Sequence, residues 1–265
     1  MLVDSHCHLD FKDFAGELDQ VVERAREAGI GRMVTICTRL GELDRNLAIA
    51  ERYEEVFCAA GVHPHNAASD APATIDRLVE IARHPKLVGI GESGLDYHYD
   101  HSPRDQQQAS FRIHIRAARE TGLPLVVHTR SADDDTIRIL REEGAGQGEA
   151  GWGDKPLRGV IHCFSSGREL AEKAIEMGFY VSLSGILTFN RSDDIRAIVR
   201  DLPPDRLLVE TDSPYLAPMP KRGKRNEPAF VRETLSRVAE LRGVELECLA
   251  RATSANATRL FGLPG

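Results

Sequence analysis

The stretch RDQQQASFRIHIRAARETGLPLVV, residues 104–127, contains the unit from which the whole chain is built. Apolar residues recur at steps of three and four along Arg104–Thr121, which predicts an amphipathic helix. Gly122 follows, and glycine just past a helix C-terminus adopts the left-handed conformation at little cost. The short apolar run Leu125–Val127 then predicts a buried strand. The stretch therefore indicates a helix that leads into the next strand of a sheet.

The same alternation extends along the chain. The strand candidates are Met1–Asp4, Arg32–Ile36, Val56–Ala60, Leu87–Ile90, Leu125–Val127, Arg158–Ile161, Phe179–Leu183 and Arg206–Val209. The amphipathic segments between them include Gly16–Ala28, Gly41–Tyr53, Ala73–Arg83, Arg104–Thr121, Asp133–Glu143, Arg168–Met177 and Ile195–Asp201. Eight such units predict an α/β fold, a (β/α)8 TIM barrel of parallel strands with outer helices. An open doubly wound sheet is the structural alternative, although no GxGxxG follows an early strand.

The remaining segments fit around such a barrel. Pro228–Leu241 and Leu246–Phe261 predict two further helices packed on the outside. The glycine-rich stretch Gly144–Asp154 precedes a strand, so we expect a flexible surface loop at the end of the barrel away from the chemistry. Since no linker or repeat divides the chain, we expect residues 1–265 to form a single domain.

Composition narrows the class of protein. The length of 265 residues suits one α/β barrel, and the net charge of -7 disfavours a protein that binds nucleic acid by charge alone. The five cysteines are widely spaced without a CxxC, which disfavours a disulfide framework. We find neither a signal sequence nor an apolar run long enough to span a membrane. These features predict a cytoplasmic protein that does not bind membranes, and we expect a monomer.

Chemically active residues recur where the predicted strands end. They are His6, His8, His63, His65, Glu92, His128, His162 and Asp212. In a barrel, the carboxyl ends of all strands meet on one face, where active sites are built. Burying many imidazoles and carboxylates together without a cation would be costly. We therefore predict that His6, His8, Glu92, His128, His162 and Asp212 bind metal.

The spacing of these residues predicts two ion sites. His6 and His8 lie two apart, so in an extended chain both side chains point the same way and reach one ion. Asp212 and Glu92 complete that site, while His128, His162 and a shared Glu92 form the second. A bridging carboxylate suits two ions about 3.5–4 Å apart, the spacing used in two-metal hydrolysis. Nitrogen and oxygen ligands without thiolate fit two divalent ions of zinc, manganese, iron or magnesium.

Several neighbours of these residues receive other interpretations. Cys7 and Cys163 each adjoin a predicted ligand. We expect both to be small buried residues whose side chains point away from the metal. Glu210 lies two residues before Asp212 and is a candidate partner of a ligand. No role is predicted for His84, His98, His101 and His114.

The sequence resembles the TatD family of metal-dependent deoxyribonucleases. The matching stretches are DSHCHLD at residues 4–10, GVHPH at 61–65, GIGESGLDY at 89–97, PLVVHTR at 124–130, IHCFS at 161–165, SLSGILTF at 182–189 and ETDSPYL at 210–216. They are collinear and cover nearly the whole chain. The resemblance implies an amidohydrolase-related barrel with the two ion sites described above. It also implies that His63 acts in substrate contact or catalysis, and we add His65 as a predicted substrate contact.

The resemblance implies a deoxyribonuclease of the 3'-5' exonuclease type that acts on single-stranded DNA. A water activated by two metals would attack the phosphodiester bond, with Asp212, Glu92 and His63 as catalytic residues. Asp212 would accept the proton of that water. A basic cluster follows the last strand and consists of Lys221, Arg222, Lys224 and Arg225. It predicts phosphate binding, with Lys221, Arg222 and Arg225 as the contacts; a solvated loop is the alternative.

Two other functions fit the same residues. The ions could polarise a carbonyl group instead, which would give amidohydrolase-like hydrolysis of an ester or amide in a small molecule or an aminoacyl-tRNA. A metal-storing or scaffold protein is the alternative outside enzymes, and loss of turnover with a chelator and in Asp212→Ala would exclude it.

Overall fold

The computed structural model describes residues 1–69, 72–147 and 156–264. The strands are β1 Leu2–Cys7, β2 Ile30–Cys37, β3 Val56–Ala60, β4 Leu87–Asp96, β5 Leu125–Arg130, β6 Gly159–Ile161, β7 Tyr180–Leu183 and β8 Leu207–Val209. The α-helices are α1 Leu18–Glu27, α2 Leu43–Arg52, α3 Ile75–Ile81, α4 Arg104–Thr121, α5 Asp133–Glu142, α6 Arg168–Glu176, α7 Asp193–Asp201, α8 Val231–Arg242 and α9 Leu246–Phe261. The strands pair in parallel in the order β1 to β8, which confirms the predicted (β/α)8 barrel.

The opening stretch of the sequence folds as predicted. Helix α4 spans Arg104–Thr121, and Gly122 follows it with a φ of 73°. Strand β5 then begins at Leu125 and pairs with β4. No helix in the described ranges is both long enough and apolar enough to cross a lipid bilayer.

The strands bury both faces, as a parallel sheet covered by helices requires. One face packs against the surrounding helices and forms the larger hydrophobic cluster. The other face points into the barrel, where a smaller cluster contains Val34, Val126, Val160 and Leu208 from different strands. Successive side chains of a strand alternate between the two faces, so one apolar run supplies both clusters.

The seam between β1 and β8 closes at the carboxyl end of the strands. The backbone N–H of Asp212 donates to the carbonyl of His6 over 2.9 Å, and that of His8 donates to Ser213 over 2.8 Å. Below these bonds, the Ser5 hydroxyl donates to the carbonyl of Val209 over 3.0 Å. The segment that joins the two strands therefore also carries three of the predicted metal ligands.

Helix α9 differs from its prediction. We expected both C-terminal helices on the outside of the barrel, and α8 packs against α7 and α9 there. The end of α9 instead belongs to the cluster inside the barrel, through Ala257, Leu260 and Phe261. The apolar face of α9 thus covers the amino ends of the strands, because the side chains inside the barrel there are themselves apolar.

Strands β1, β4 and β5 continue by three or more residues past their predicted ends. Strand β1 extends to Cys7, β4 to Asp96 and β5 to Arg130, so His6, Glu92 and His128 lie within strands. Backbone pairing continues here although the inward side chains become polar, and hydropathy marks only the apolar part. Of the predicted loop Gly144–Asp154, residues 148–154 lie outside the described residues.

Candidate metal centre

His6 is fully buried at the centre of the cluster. Neither of its ring nitrogens has a hydrogen-bond partner among the described residues. Its Nε2 lies 3.5 Å from Glu92 Oε2 and 3.5 Å from Asp212 Oδ1. His8 Nε2 lies 3.3 Å from the same Asp212 oxygen. A buried imidazole without partners is costly, and a bond to a cation would satisfy it, so these residues fit a divalent ion.

The carboxylate of Glu92 lies at the centre of the cluster, next to several of the histidines. Its carboxylate lies 2.8 Å from His162 Nε2 and 3.0 Å from His128 Nδ1. The flanking Gly91 and Gly94 have φ angles of 120° and 145°. A Cβ at Gly91 would lie 2.4 Å from the carbonyl oxygen of Val126, and one at Gly94 would lie 1.9 Å from that of His128. The two glycines therefore let β4 approach β5 closely around Glu92.

His128 and His162 are each supported from behind by a carboxylate. His128 Nε2 lies 3.2 Å from Asp96 Oδ2, and His162 Nδ1 lies 3.3 Å from Glu210 Oε1. If each rear nitrogen donates to its carboxylate, the other nitrogen, once deprotonated, would offer its lone pair to a cation beside Glu92. A carboxylate behind a ligating histidine sets its tautomer and orientation in metal sites. Glu210 thus has the contact predicted for it, while the role of Asp96 was missed.

His63 presents a proton, not a lone pair, to the cluster. The backbone N–H of His65 donates to His63 Nδ1 over 3.1 Å, so the neutral ring carries its proton on Nε2. This Nε2 lies 3.3 Å from Glu92 Oε1. Although His63, Glu92 and His128 lie close enough to hold an ion, the tautomer makes His63 a hydrogen-bond donor. His65 Nε2 bonds to Asp96 over 2.8 Å and lies beside this group.

Asp212 has a left-handed backbone, with a φ of 56°, held by the residues on either side of it. Before it, the Thr211 hydroxyl donates to Asp4 over 2.6 Å, and the Thr211 N–H donates to the same carboxyl over 2.9 Å. Across it, the carboxamide of Asn226 donates to the carbonyls of Thr211 over 2.9 Å and Tyr215 over 2.6 Å. The direction of the Asp212 carboxylate is therefore fixed by buried residues far away in sequence.

The carboxylates of the cluster stay ionised despite burial. Burial alone would raise the pKa of Glu92, but His162, His63 and His128 outweigh it and hold that pKa well below its usual range. Burial would also raise the pKa of Asp212, but the hydrogen bond from His8 opposes it, and the pKa is lowered. The pocket thus favours negative carboxylates that attract positive charge, as a metal site requires.

The histidines divide into two groups. Burial lowers the pKa of His63 to about 4, so its ring is neutral at neutral pH. Burial and the charge of His162 also lower the pKa of His6. His162 is the opposite case, because Glu92 and Glu210 outweigh burial and raise its pKa well above the usual value. A cation bound at Glu92 would take the place of that imidazolium proton.

Of three residues beside the candidate ligands, Cys7 matches its prediction, Cys163 does not, and Asp4 had none. Cys7 is buried in the core, as expected. Cys163 instead lines the cavity, with Sγ 3.2 Å from the Ser184 hydroxyl and a φ of 45°. Its left-handed backbone turns the side chain away from the alternation assumed for a strand. Burial raises the pKa of Asp4 to about 8, and no role was predicted for this carboxyl.

The cluster lies at the bottom of a cavity of about 1000 Å³. Several residues of its walls were not predicted from the sequence: Phe11, Thr38, Arg39, His101, Arg130, Ser165 and Ile186. Arg130 stands in the PLVVHTR stretch and Asp96 in GIGESGLDY, so both motifs contained the signal. His101, given no role from the sequence, packs against His65 with ring centroids 4.7 Å apart.

The predicted basic cluster lies elsewhere. Arg225 bonds to Glu17 and to the carbonyl of Asp13 and covers the ring of Phe14. Arg222 stacks on Phe189 at 3.8 Å, and Lys221 lies 5.1 Å from the Phe230 ring. None of these three cations lines the cavity of the histidine cluster.

Comparisons with known proteins show the family and the fold. The family model described as TatD related DNase matches residues 3–262. The uncharacterized metal-dependent hydrolase YcfH of Escherichia coli K12 is 44% identical over 98% of this chain and 95% of the relative. The 3'-5' ssDNA/RNA exonuclease TatD of Klebsiella pneumoniae strain 342 is 33% identical over 99% of this chain and 98% of the relative. The crystal structure of YJJV, a TatD homologue from Escherichia coli K12, matches with a TM-score of 0.90 at 28% identity, covering 99% of this chain and 98% of that one.

The barrel, the histidine–carboxylate cluster and these relatives define the class of protein, which is a metal-dependent hydrolase. Within this class, the chain belongs to the TatD family of DNases.

Proposed function

We propose that this protein is a deoxyribonuclease of the 3'-5' exonuclease type, which hydrolyses single-stranded DNA at a centre of two divalent ions. The observation that carries the proposal is the position of Glu92. Its carboxylate lies within 3.5 Å of a nitrogen of each of four histidines: His6, His63, His128 and His162. A carboxylate placed between two sets of ligands suits a pair of ions.

The ligands divide between the two ions as follows. His6, His8, Glu92 and Asp212 would hold one ion, and Glu92, His128 and His162 would hold the other. Bound there, the ions supply a water molecule of lowered pKa and positive charge that stabilises the phosphate in the transition state. Nitrogen and oxygen donors without thiolate suit zinc, manganese, iron or magnesium.

The residues of the chain perform the remaining steps. Asp212 is ionised, so its carboxylate accepts the proton of the attacking water. His63 is neutral and holds its proton on Nε2, so it donates a hydrogen bond to an oxygen of the phosphate. Glu92 holds the two sets of ligands in one geometry.

Cations of the cavity wall support an anionic substrate. Arg39 and Arg130 line the cavity, and neither forms an ion pair with a carboxylate in the described ranges. The relative from Klebsiella pneumoniae is named as an exonuclease for ssDNA and RNA, which supports the same substrate class. His65 would contact the strand inside the cavity. Lys221, Arg222 and Arg225 stay predicted contacts for a strand that extends beyond it.

A panel of substrates tests the proposal. Purified protein is stripped with a chelator and reloaded with one metal at a time. It is then given a 5'-labelled single-stranded oligonucleotide, the same oligonucleotide in a duplex, RNA and a circular single strand. We expect a ladder of 5'-labelled products from the linear single strand and none from the circle, because the circle has no 3' end.

Variants and other substrates complete the test. Asp212→Asn should abolish the ladder, while Asp205→Asn, an exposed aspartate before β8, should leave it unchanged. Amides and aminoacyl esters are tested in parallel, since the same cluster could polarise a carbonyl. Hydrolysis of these compounds with every nucleic acid left intact would overturn the proposal in favour of an amidohydrolase activity.

A further inference from the structure

Two tyrosines of the cavity wall are unusually exposed. Tyr99 is 50% exposed and Tyr215 is 55% exposed, and both line the cavity above the histidine cluster. Neither hydroxyl has a hydrogen-bond partner within residues 1–69, 72–147 and 156–264. Tyr97 contrasts with them, because its hydroxyl donates to Asp135 over 2.7 Å and its ring is only partly exposed. Exposed rings at a cavity are typical of surfaces that bind a ligand.

The two tyrosines lie on opposite sides of the cluster. Tyr215 packs near His8, with ring centroids 6.4 Å apart, and near Phe11 at 5.9 Å. Tyr99 packs near His65 at 5.5 Å and stacks on His101 with an interplanar angle of 2°.

A continuous chain of ring contacts connects the two sides. It consists of the pairs His8–His6, His6–His162, His162–His128, His128–His63 and His63–His65. The ligands grouped around Glu92 therefore lie between Tyr215 and Tyr99.

Positive charge accompanies the ring of Tyr99. The guanidinium of Arg130 lies over this ring, 4.7 Å from its centroid. Arg130 forms no ion pair with a carboxylate in the described part of the chain, whereas Arg104, over the ring of Tyr97, pairs with Asp100 at 2.8 Å. The charge of Arg130 is therefore available to a phosphate, and the half-exposed ring beside it can accept a base on its open part.

We propose that Tyr99 and Tyr215 each stack an unpaired base of the nucleic-acid substrate, one on either side of the phosphate bound at Glu92. Arg130 binds the phosphate adjoining the base on Tyr99. The inference rests on the proposed nuclease function and names the feature that selects a single strand. Bases in a duplex stack on each other on both faces, so only an unpaired base offers a face to tyrosine.

Binding to a short oligonucleotide tests the inference. The metal-loaded full chain is titrated with a 5'-fluorescein tetranucleotide whose phosphorothioate links resist hydrolysis, and anisotropy gives the Kd. Tyr99→Ala and Tyr215→Ala should each weaken binding about tenfold, as expected for loss of one base–aromatic stack. Tyr99→Phe and Tyr215→Phe should restore the affinity to within about twofold, because the ring is kept.

A second ligand distinguishes stacking from a general disturbance. On a tetranucleotide of the same backbone without bases, the alanine variants should bind as the unchanged protein does. Val244→Ala, which alters an exposed apolar residue outside the cavity, should bind both ligands normally. Equal losses on the two ligands, or no loss on the complete one, would overturn the inference while leaving the nuclease proposal intact. An unchanged protein that neither binds nor cleaves single strands would overturn both.

Discussion

The two ends of the barrel contain opposite kinds of side chain. At the carboxyl ends of the strands, His6, His162 and Glu92 are buried together, and polar atoms of His6 and His8 have no hydrogen-bond partner among the described residues. At the amino ends, the interior is apolar and Phe261 of α9 packs into it. The apolar end is held by burial, whereas the polar end needs a ligand or ion before its groups are satisfied. Stability and function are thus separated along one axis.

The comparison is sharpest along β8, because a buried asparagine holds each end of this strand. Asn226 donates to the carbonyls of Thr211 and Tyr215 at the polar end. Asn256 donates to the carbonyls of Pro204 over 2.9 Å and Leu207 over 2.9 Å at the apolar end. An asparagine that donates two hydrogen bonds to backbone carbonyls therefore lies at each end of β8, beside the candidate ligand Asp212 at one end and beside the apolar contact of α9 at the other.

The largest expected effect is that of Glu92→Gln on turnover. Loss of the shared carboxylate should lower turnover by at least about 10³-fold and reduce the bound metal, since both ion sites use it. Metal content by mass spectrometry and initial rates measure these effects. Glu247→Gln, an exposed glutamate of α9 at the apolar end, is the control and should change neither. Full activity in Glu92→Gln would contradict the proposed centre.

Phe261→Ala should lower the stability of the protein and leave its metal binding unchanged. Removing this buried ring should lower the free energy of unfolding by about 3–5 kcal/mol, the usual cost of such a cavity in a core. Metal affinity of the folded protein should stay unchanged, because Phe261 touches no ligand. Urea unfolding and metal titration measure the two quantities. A large loss of metal affinity in the folded variant would show that the two ends are coupled.

His114 tests what a buried histidine does when both nitrogens are satisfied. Its Nε2 accepts the N–H of Val62 over 3.0 Å, and its Nδ1 donates to the carbonyl of Ser110 over 2.8 Å. Burial lowers its pKa to about 4, below that of an exposed histidine, so the unfolded chain binds the proton more readily. The free energy of unfolding should therefore decrease as the pH is lowered from about 6.5 to 4, by about 3 kcal/mol in total.

The variant His114→Gln removes this titration. With metal removed by a chelator, its free energy of unfolding at pH 7 should lie below that of the unchanged protein. The difference should then shrink by about 3 kcal/mol as the pH falls to 4. Urea unfolding at several pH values measures it. A difference that stays constant with pH would mean that His114 is not the titrating group.

The smallest expected effects are those of replacing the two buried asparagines, which should differ in metal affinity. Asn226→Asp and Asn256→Asp should each lower the free energy of unfolding by about 2 kcal/mol, because a carboxyl replaces two donated hydrogen bonds. Only Asn226→Asp should also weaken metal binding, by about 10–100-fold, since it loosens the backbone around Asp212. Calorimetric metal titration decides this, and equal metal affinities in the two variants would refute the positioning role of Asn226.

The grouping of the candidate ligands was predictable because each stands at the end of a recognisable strand. In a barrel, all such ends reach the same face whatever the loops between them do. Asp96 was missed because the predicted strand ended at Ile90, whereas β4 continues to Asp96. Hydropathy marks only the apolar part of a strand, so the sequence did not place Asp96 on the same strand as Glu92.

The cations of the cavity were harder to predict than its ligands. The sequence cluster of Lys221, Arg222 and Arg225 follows Asp212 directly, yet Arg225 is bound to Glu17 across the barrel seam. Arg39 and Arg130 reach the cavity although no cluster of charge marks them. The path of a loop is set by ion pairs and ring contacts with distant residues, so nearness in sequence to a ligand does not place a side chain in the cavity.

Hydrophobic periodicity and strand ends are local properties of the chain, so the sequence alone was enough to predict the barrel and to select the candidate metal ligands. The tertiary structure decided which ring nitrogen each histidine presents, through Asp96 behind His128, Glu210 behind His162 and the N–H of His65 behind His63. It also decided that Tyr99 and Tyr215 stand on opposite sides of the cluster. These features depend on hydrogen bonds and packing between residues that are distant in sequence, which only the folded chain brings together.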